Sequence, residues 1–499
     1  MTVQAVGARR AGSGGAPLPA RWLVLAVACL AQLTVVLDNT VLNVAVPTLG
    51  RALDADTADI QWIVNAYSLV QAGLLLPAGA AADRYGRRRL LIIGLLVFGG
   101  GSLAAGLACS TAQLTAARAV MGVGGAFLLT TTLAVVVQVF DASERARAIG
   151  AWAVVNALGF AIGPLVGGTL LAHFHWGALF LVNLPVVLVA LVGARLLVPE
   201  SREPGGGRPD LAGALLSTAG VTALVYAVTA GPDHGWASAG VLAPAACGLA
   251  VLAAFVRWEH RAPAPMLDPA FFRDRRFAGA VTGVLLITFG SAGGLFLLSQ
   301  QLQSVRGWSA LETGLRMAPF ALAVVVLNLT GVAARLLARL GRPAGIALGM
   351  SMLAGGFALA ALAPTGGYGR LLAGLLLMGA GCALANPAIV EAVLSSLPPQ
   401  RAGAGAGIDG AMAEVGASLG VAALGAVLSA RFGAGLPPAL TGAGSLTEAL
   451  AAAHSPAEAT AAVTAFGDAA RTAQLTGAAA VLVGGLATAW LLGRAERRH

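Results

Sequence analysis

"WLVLAVACLAQLTVVLDNTVLNVAVPTL", residues 22–49, carries one charged side chain, Asp38. At 1.5 Å per residue, a helix of this length outspans the ~30 Å hydrocarbon core of a bilayer. A run that is apolar all round, rather than on one stripe, is a membrane span. In lipid the backbone must satisfy its own hydrogen bonds, so the span is helical. A carboxylate inside it costs on the order of 3 kcal/mol unless something offsets the cost. Asp38 therefore marks both a helix and a site.

The pattern repeats along the chain, which is 58% hydrophobic and 11% charged over 499 residues, with mean hydropathy +0.82. Such a composition excludes an ordinary soluble enzyme, for which about a quarter of residues are charged. It predicts fourteen spans, near 22–49, 60–82, 89–109, 112–138, 145–171, 177–198, 211–231, 239–258, 277–298, 313–334, 343–364, 369–394, 404–428 and 473–493. The fold class is an all-α polytopic membrane protein.

The net charge of +9 comes from 31 basic residues, every one an arginine, lying in short clusters between apolar segments. That distribution does not form a nucleic-acid-binding stripe, and no nucleic acid is expected as a partner. With the N-terminus inside, the tails and even-numbered loops hold 24 arginines and the outer loops six, Arg118 lying within a span. The asymmetry obeys the positive-inside rule and places both termini in the cytoplasm. Arg9, Arg10 and Arg21 precede an apolar stretch too long for a signal peptide's core, so the first helix is retained.

The organisation follows from the loops. Residues 1–21 form an N-terminal tail, 22–198 a first six-helix bundle, 199–210 a cytoplasmic linker rich in Gly and Pro. Residues 211–258 are two inserted helices, 259–276 a cytoplasmic loop, 277–493 a second six-helix bundle and 494–499 a tail. Within the second bundle, 429–472 is a long outer loop in which "SPAEATAAVTAF" has a helix start at Ser455, Pro456 and Glu458. "GAAADRYGRRR" (79–89) and "GVAARLLARLGRP" (331–343) echo one another, as two halves of a repeat would. Two such halves suggest a transporter with its site between them.

Cys29, Cys109, Cys247 and Cys382 sit in separate apolar segments without metal or disulfide spacing, and of the six histidines only His173 and His175, near an outer turn, are spaced as a ligand pair. No metal and no cofactor is expected. "GASLG" (416–420) and "GAGIDG" (405–410) fit catalytic patterns only as strings; both lie inside a helix with no strand before them. The chain is read as no enzyme.

The ionisable residues inside spans carry the chemistry. Arg118, in "LTAARAVMGVGG", is the natural partner of Asp38; pairing lowers the cost of both ions, and protonating Asp38 would release Arg118. Gln32 and Asn43 put a polar stripe on the same helix as Asp38. "GIDGAMAEVGASLG" (407–420) holds Asp409 and Glu414, about 140° apart round the helix, with Glu414 nearer the midplane. Glu391 lies at an inner helix end. Asp83 precedes Arg84, Gly86, Arg87, Arg88 and Arg89 in a tight inner turn, where an acid can pair with arginine or a helix N-terminus and latch the halves together. "LGFAIGPLVGGTL" (158–170) aligns Gly159, Gly163 and Gly167 on one face with Pro164 and Gly168 beside them, giving a packing notch and a bend. Asn43, Trp62, Asn65 and Tyr67 are candidate cavity residues.

These motifs in this order resemble the fourteen-helix drug:proton antiporter branch of the major facilitator superfamily, over residues 22–493. "LDNTVLNVAVP" is similar to that branch's first-helix signature, "GAAADRYGRRR" to the loop motif between helices two and three, "RAVMGVGGA" to the fourth-helix arginine motif and "GFAIGPLVGG" to the fifth-helix antiporter motif. "QWIVNAYSL" and "HWGALFLVNLP" also match. Met121, Gly177 and Glu414 depart from it, standing where Gln, Arg and Gln are common. The resemblance implies a major facilitator fold of two six-helix bundles plus two central helices. It implies a monomer in the plasma membrane that exports hydrophobic or cationic small molecules against protons. It makes Asp38 and Arg118 the proton-linked pair, the Asp83 turn a gate, and the glycines of helix five the bend linked to export. A dedicated exporter of one endogenous metabolite is the alternative.

Overall fold

The computed structural model describes residues 18–55, 57–202, 210–235, 238–263, 265–266, 268–308, 310–362, 368–443 and 445–496. Of the expected tails, residues 1–17 and 497–499 lie outside them, as does most of the linker, while 18–21 and 494–496 are helical. The first half contains α1 (Leu18–Ala52), α2 (Thr57–Tyr85), α3 (Arg87–Gly106), α4 (Thr111–Val139), α5 (Ala142–His173), the single turn α6 (Ala178–Leu181) and α7 (Asn183–Leu197). Two helices follow, α8 (Leu211–His234) and α9 (Ala239–Glu259). The second half contains α10 (Arg275–Arg306), α11 (Ala310–Leu329), the short α12 (Val332–Leu340), α13 (Arg342–Ala361), α14 (Tyr368–Ser395), α15 (Ala402–Gly435), α16 (Leu446–Ala452) and α17 (Pro456–Glu496).

Among the described residues, thirteen helices are long and apolar enough to cross a membrane. The fifth expected span lies on α5, which runs unbroken for 32 residues but whose side chains are described only in part. One expectation is corrected. The outer segment 429–472 is not mainly loop, because α15 continues to Gly435 and the helix begun at Ser455–Pro456 is the start of α17, 41 residues long. Ser455 Oγ accepts from Glu458 N–H at 3.2 Å, and Glu458 Oε2 accepts from His454 N–H at 2.7 Å, so the start is capped as its sequence implies. The segment is the first part of the continuous α17, whose Ala-rich backbone favours helix along its length.

The two halves use one packing scheme. In the first, α1 packs on α5, α4 and α7 while α3 packs on α4 and α7; in the second, α10 packs on α15, α14 and α17 while α13 packs on α14 and α17. The halves then meet along two equivalent seams, α2 against α15 and α5 against α11. The inserted α8 lies on α2 and also touches α15.

Their contact is concentrated at the arginine-rich end. One buried apolar cluster there joins Ala148, Ile149 and Trp152 of α5 to Val390 and Leu394 of α14 and Ala402 and Ala406 of α15. Every residue of α15 from Ala402 to Ala411 is buried. Among the described residues, no comparable cluster joins the halves at the opposite end. The bundle is closed at the arginine-rich end.

Candidate functional site

Arg118 and Asp38 form a buried ion pair between α4 and α1, with 1% of each side chain exposed. A charge at that depth without a partner costs several kcal/mol, so each ion is tolerated because of the other. Arg118 is held from two further directions. Its Nε donates to Ile63 O of α2 at 3.3 Å, and its guanidinium lies 4.4 Å from the centroid of the Tyr67 ring. Three helices thus meet on one arginine.

The glycines of "MGVGG" make this possible. A Cβ at Gly122 would lie 2.6 Å from Tyr67 O, and one at Gly125 would lie 2.6 Å from Gln71 Nε2 and 2.7 Å from Tyr67 Oη. With no side chain there, α2 approaches α4 closely enough to lay Tyr67 over Arg118. Gln71 Nε2 then donates to Tyr67 Oη at 3.0 Å. Gln71 was not singled out from sequence; its spacing, one turn after Tyr67, was the available signal.

On the other side of α1, α5 supplies the expected notch. A Cβ would meet Val36 at 2.2 Å from Gly159, Thr40 Oγ1 at 2.0 Å from Gly163, and Val41 at 3.3 Å from Gly167. Thr40 Oγ1 donates to Gly159 O at 3.2 Å, tying the two helices two residues from Asp38. Gly168 faces open space. The side chain of Pro164 lies outside the described residues, as does that of Asn43.

Asp409 and Glu414 lie on α15, opposite the ion pair's half. Asp409 is 7% exposed, and its Oδ1 has no hydrogen-bond partner among the described residues. Glu414 is half-buried. Glu391 is paired, its Oε1 accepting from Arg342 at 2.8 Å.

The Asp83 turn closes the arginine-rich end. Asp83 Oδ1 accepts from Gly403 N–H and Oδ2 from Ala404 N–H, each at 2.8 Å, so one carboxylate of α2 caps the N-terminus of α15. Arg87 donates to Asp83 Oδ1 at 2.8 Å, to Gln138 Oε1 at 3.1 Å and to Gln400 O at 3.1 Å. Arg84 lies beside Tyr85 at 5.4 Å, and Arg88 is 3.9 Å from Glu200. Gly86, at φ +108°, makes the corner between α2 and α3.

The expected cavity residues divide. Trp62 is 53% exposed on the bundle surface and Asn65 is half-buried. Tyr67 lines no open space: it is fully buried beneath Arg118. The cation, rather than a ligand, takes its ring face. A groove of about 670 Å³ between the outer ends of α15 and α17, lined by Arg431, Asp468 and small residues, contains none of the predicted site residues.

Comparison with known proteins identifies the family. The Major Facilitator Superfamily profile matches residues 28–421. The chain is similar to the multidrug resistance protein Stp of Mycobacterium tuberculosis, at 37% identity over 84% of this chain and 78% of that protein. It is 36% identical to the puromycin resistance protein pur8 of Streptomyces alboniger, over 82% of each chain. The crystal structure of the human organic anion transporter MFSD10 superposes with a TM-score of 0.65, 18% identity and coverage of 95% of this chain and 99% of that one, a likeness of fold alone.

Proposed function

This chain belongs to the Major Facilitator Superfamily, and on that premise we propose that it exports hydrophobic or cationic small molecules in exchange for protons. The carrying observation is the ion pair of Asp38 and Arg118, buried between three helices of one half, in a bundle whose halves are joined by an apolar cluster at the arginine-rich end. A proton delivered to Asp38 removes the charge that holds Arg118, and Arg118 then needs other acceptors. Helix positions that depend on that pair relax, which biases which end of the bundle is closed.

Asp409 and Glu414 provide acids in the opposing half. They suit a cationic cargo, since a carboxylate that trades a proton for a cation keeps its surroundings near neutral in both states. One proton moving inward down ~100 mV supplies about 2.3 kcal/mol before any pH gradient is added. With α5 taken as a span beside the thirteen, fourteen spans put both tails on one side, the cytoplasm by the positive-inside rule. The closed end is then the cytoplasmic one.

The test is substrate efflux from proteoliposomes under an imposed pH gradient, with ethidium-type cations as cargo. With such a cation as cargo, Asp38→Asn should abolish gradient-driven efflux through lost coupling and Glu414→Gln through a lost counter-charge; efflux that persists in both removes both assignments. A second reading, export of one endogenous metabolite, draws on the likeness to a protein named for resistance to a single compound, puromycin. It is distinguished by a substrate range confined to one chemical scaffold.

A further inference from the structure

The first helical turn of α3 has a capping problem. Gly86 precedes it and offers no side-chain acceptor, so the opening N–H groups of α3 must find partners elsewhere. They find them 112 and more residues along the chain, on the segment that leaves α7. Arg87 N–H donates to Ser201 O at 3.0 Å, and Arg88 N–H donates to Glu200 Oε1 at 3.2 Å. Glu200 Oε1 also accepts from Ser201 N–H at 2.9 Å, which fixes the strap's own bend. Ser201 Oγ donates to Gln138 Oε1, the same oxygen that accepts from Arg87.

Glu200 fits this corner because Gly86 is a glycine. A Cβ there would lie 2.5 Å from Glu200 Oε1. The positive φ at Gly86 and the open space above it are thus both used, one by the chain's corner and one by the carboxylate.

The arrangement is two helix caps in series. Glu200 caps α3 from outside, and Asp83, three residues before Gly86 on α2, caps α15 from outside. The second cap depends on the first, because Asp83 reaches Gly403 and Ala404 only while the α2–α3 corner stays put. We propose that Glu200 is a positioning residue for the gate: by anchoring the α2–α3 corner, it sets how firmly Asp83 holds the halves together at the arginine-rich end. The inference rests on reading that end as a gate, but not on which ion or cargo the protein moves.

The experiment places a reporter cysteine at Ala406, fully buried where the halves join, in full-length protein whose four native cysteines are replaced by serine. Its rate of reaction with a bulky maleimide reads opening of that end, without any transport assay. Glu200→Ala should raise the rate about fivefold, the scale of one lost cap. Glu200→Gln, which keeps an oxygen for Arg88 N–H, should stay near wild type. On an Asp83→Ala background, Glu200→Ala should add nothing further. Unchanged labelling in Glu200→Ala, or a fivefold rise that persists on the Asp83→Ala background, overturns the proposal. Should Glu200→Ala fail to fold, Glu200→Ser, too short to reach Arg88, makes the same comparison. If the labelling series comes out as expected in a protein that shows no gradient-driven efflux, the transport reading fails and this one stands.

Discussion

Gly79 and Gly403 meet backbone to backbone across the seam between α2 and α15: a Cβ on Gly79 would lie 2.1 Å from Gly403 O, and one on Gly403 would lie 2.5 Å from Gly79 O. This contact lets Asp83, one turn further along α2, reach the N–H groups of Gly403 and Ala404. Gly79→Ala should therefore prop the seam open, at a cost of ~1–3 kcal/mol to the closed arrangement. Spin-label distances across the arginine-rich end should lengthen in Gly79→Ala. Gly100→Ala, at a glycine with nothing within 4 Å, should leave them unchanged.

Asp83→Ala removes both hydrogen bonds to α15 and strands Arg87, which is 4% exposed. Losing one member of a buried pair costs ~3–5 kcal/mol. The closed population should fall by at least tenfold, read by maleimide labelling of a cysteine at Leu394, buried in the cluster that joins the halves.

Arg118→Ala leaves the Asp38 carboxylate buried alone, and the same ~3–5 kcal/mol scale applies to the folded state. Asp38→Asn removes the charge but keeps the shape, so its melting temperature should fall less. If the two residues act as a unit, the double variant should transport no worse than Arg118→Ala. Strictly additive losses in efflux rate would show that they act separately.

Gly125→Ala should damage the site from a distance. The new methyl would press on Gln71 Nε2 and Tyr67 Oη, at 2.6 and 2.7 Å, and push α2 away from Arg118. A destabilisation of ~1–3 kcal/mol is expected, visible as a lower melting temperature in detergent. Tyr67→Phe, which removes one acceptor from Gln71 but keeps the ring over Arg118, should cost only about 1 kcal/mol.

Glu414→Gln should separate cargo by charge. Efflux of cationic dyes should fall by an order of magnitude or more, while efflux of neutral compounds of similar size should change little. Equal losses for both would assign Glu414 to coupling rather than to cargo recognition.

The sequence exposes its intramembrane charges plainly, because hydropathy makes any ion in a span conspicuous. Asp38, Arg118 and the Asp83 turn could be read that way, and the structure brings Asp38 to Arg118 and Asp83 to the next helix N-terminus. Glycine spacing likewise announces the α1–α5 notch at Gly159, Gly163 and Gly167. Glu200 and Ser201 stayed hidden: they look like solvated linker residues, and their partners lie on a turn more than a hundred residues earlier. Tyr67 was misplaced for a related reason. An aromatic near a polar stripe suits a cavity and a cation–π contact equally, and only the depth of Arg118 decides between them. The outward run of α15 and α17 beyond the bilayer also escapes a hydropathy reading, since Ala-rich helix needs no lipid to persist.

The inserted α8 has a mechanical corollary. It leans on α2 through Thr222, whose Oγ1 donates to Leu69 O at 3.4 Å and fills the space a Cβ on Gly73 would need, and on α15 through apolar contact with Val415. Rotation of one half against the other must shear one of those two faces. The keyed threonine–glycine face resists sliding more than a greasy one does, so slip belongs at α15. The inserted pair then travels as ballast with the first half, and the second half swings past it.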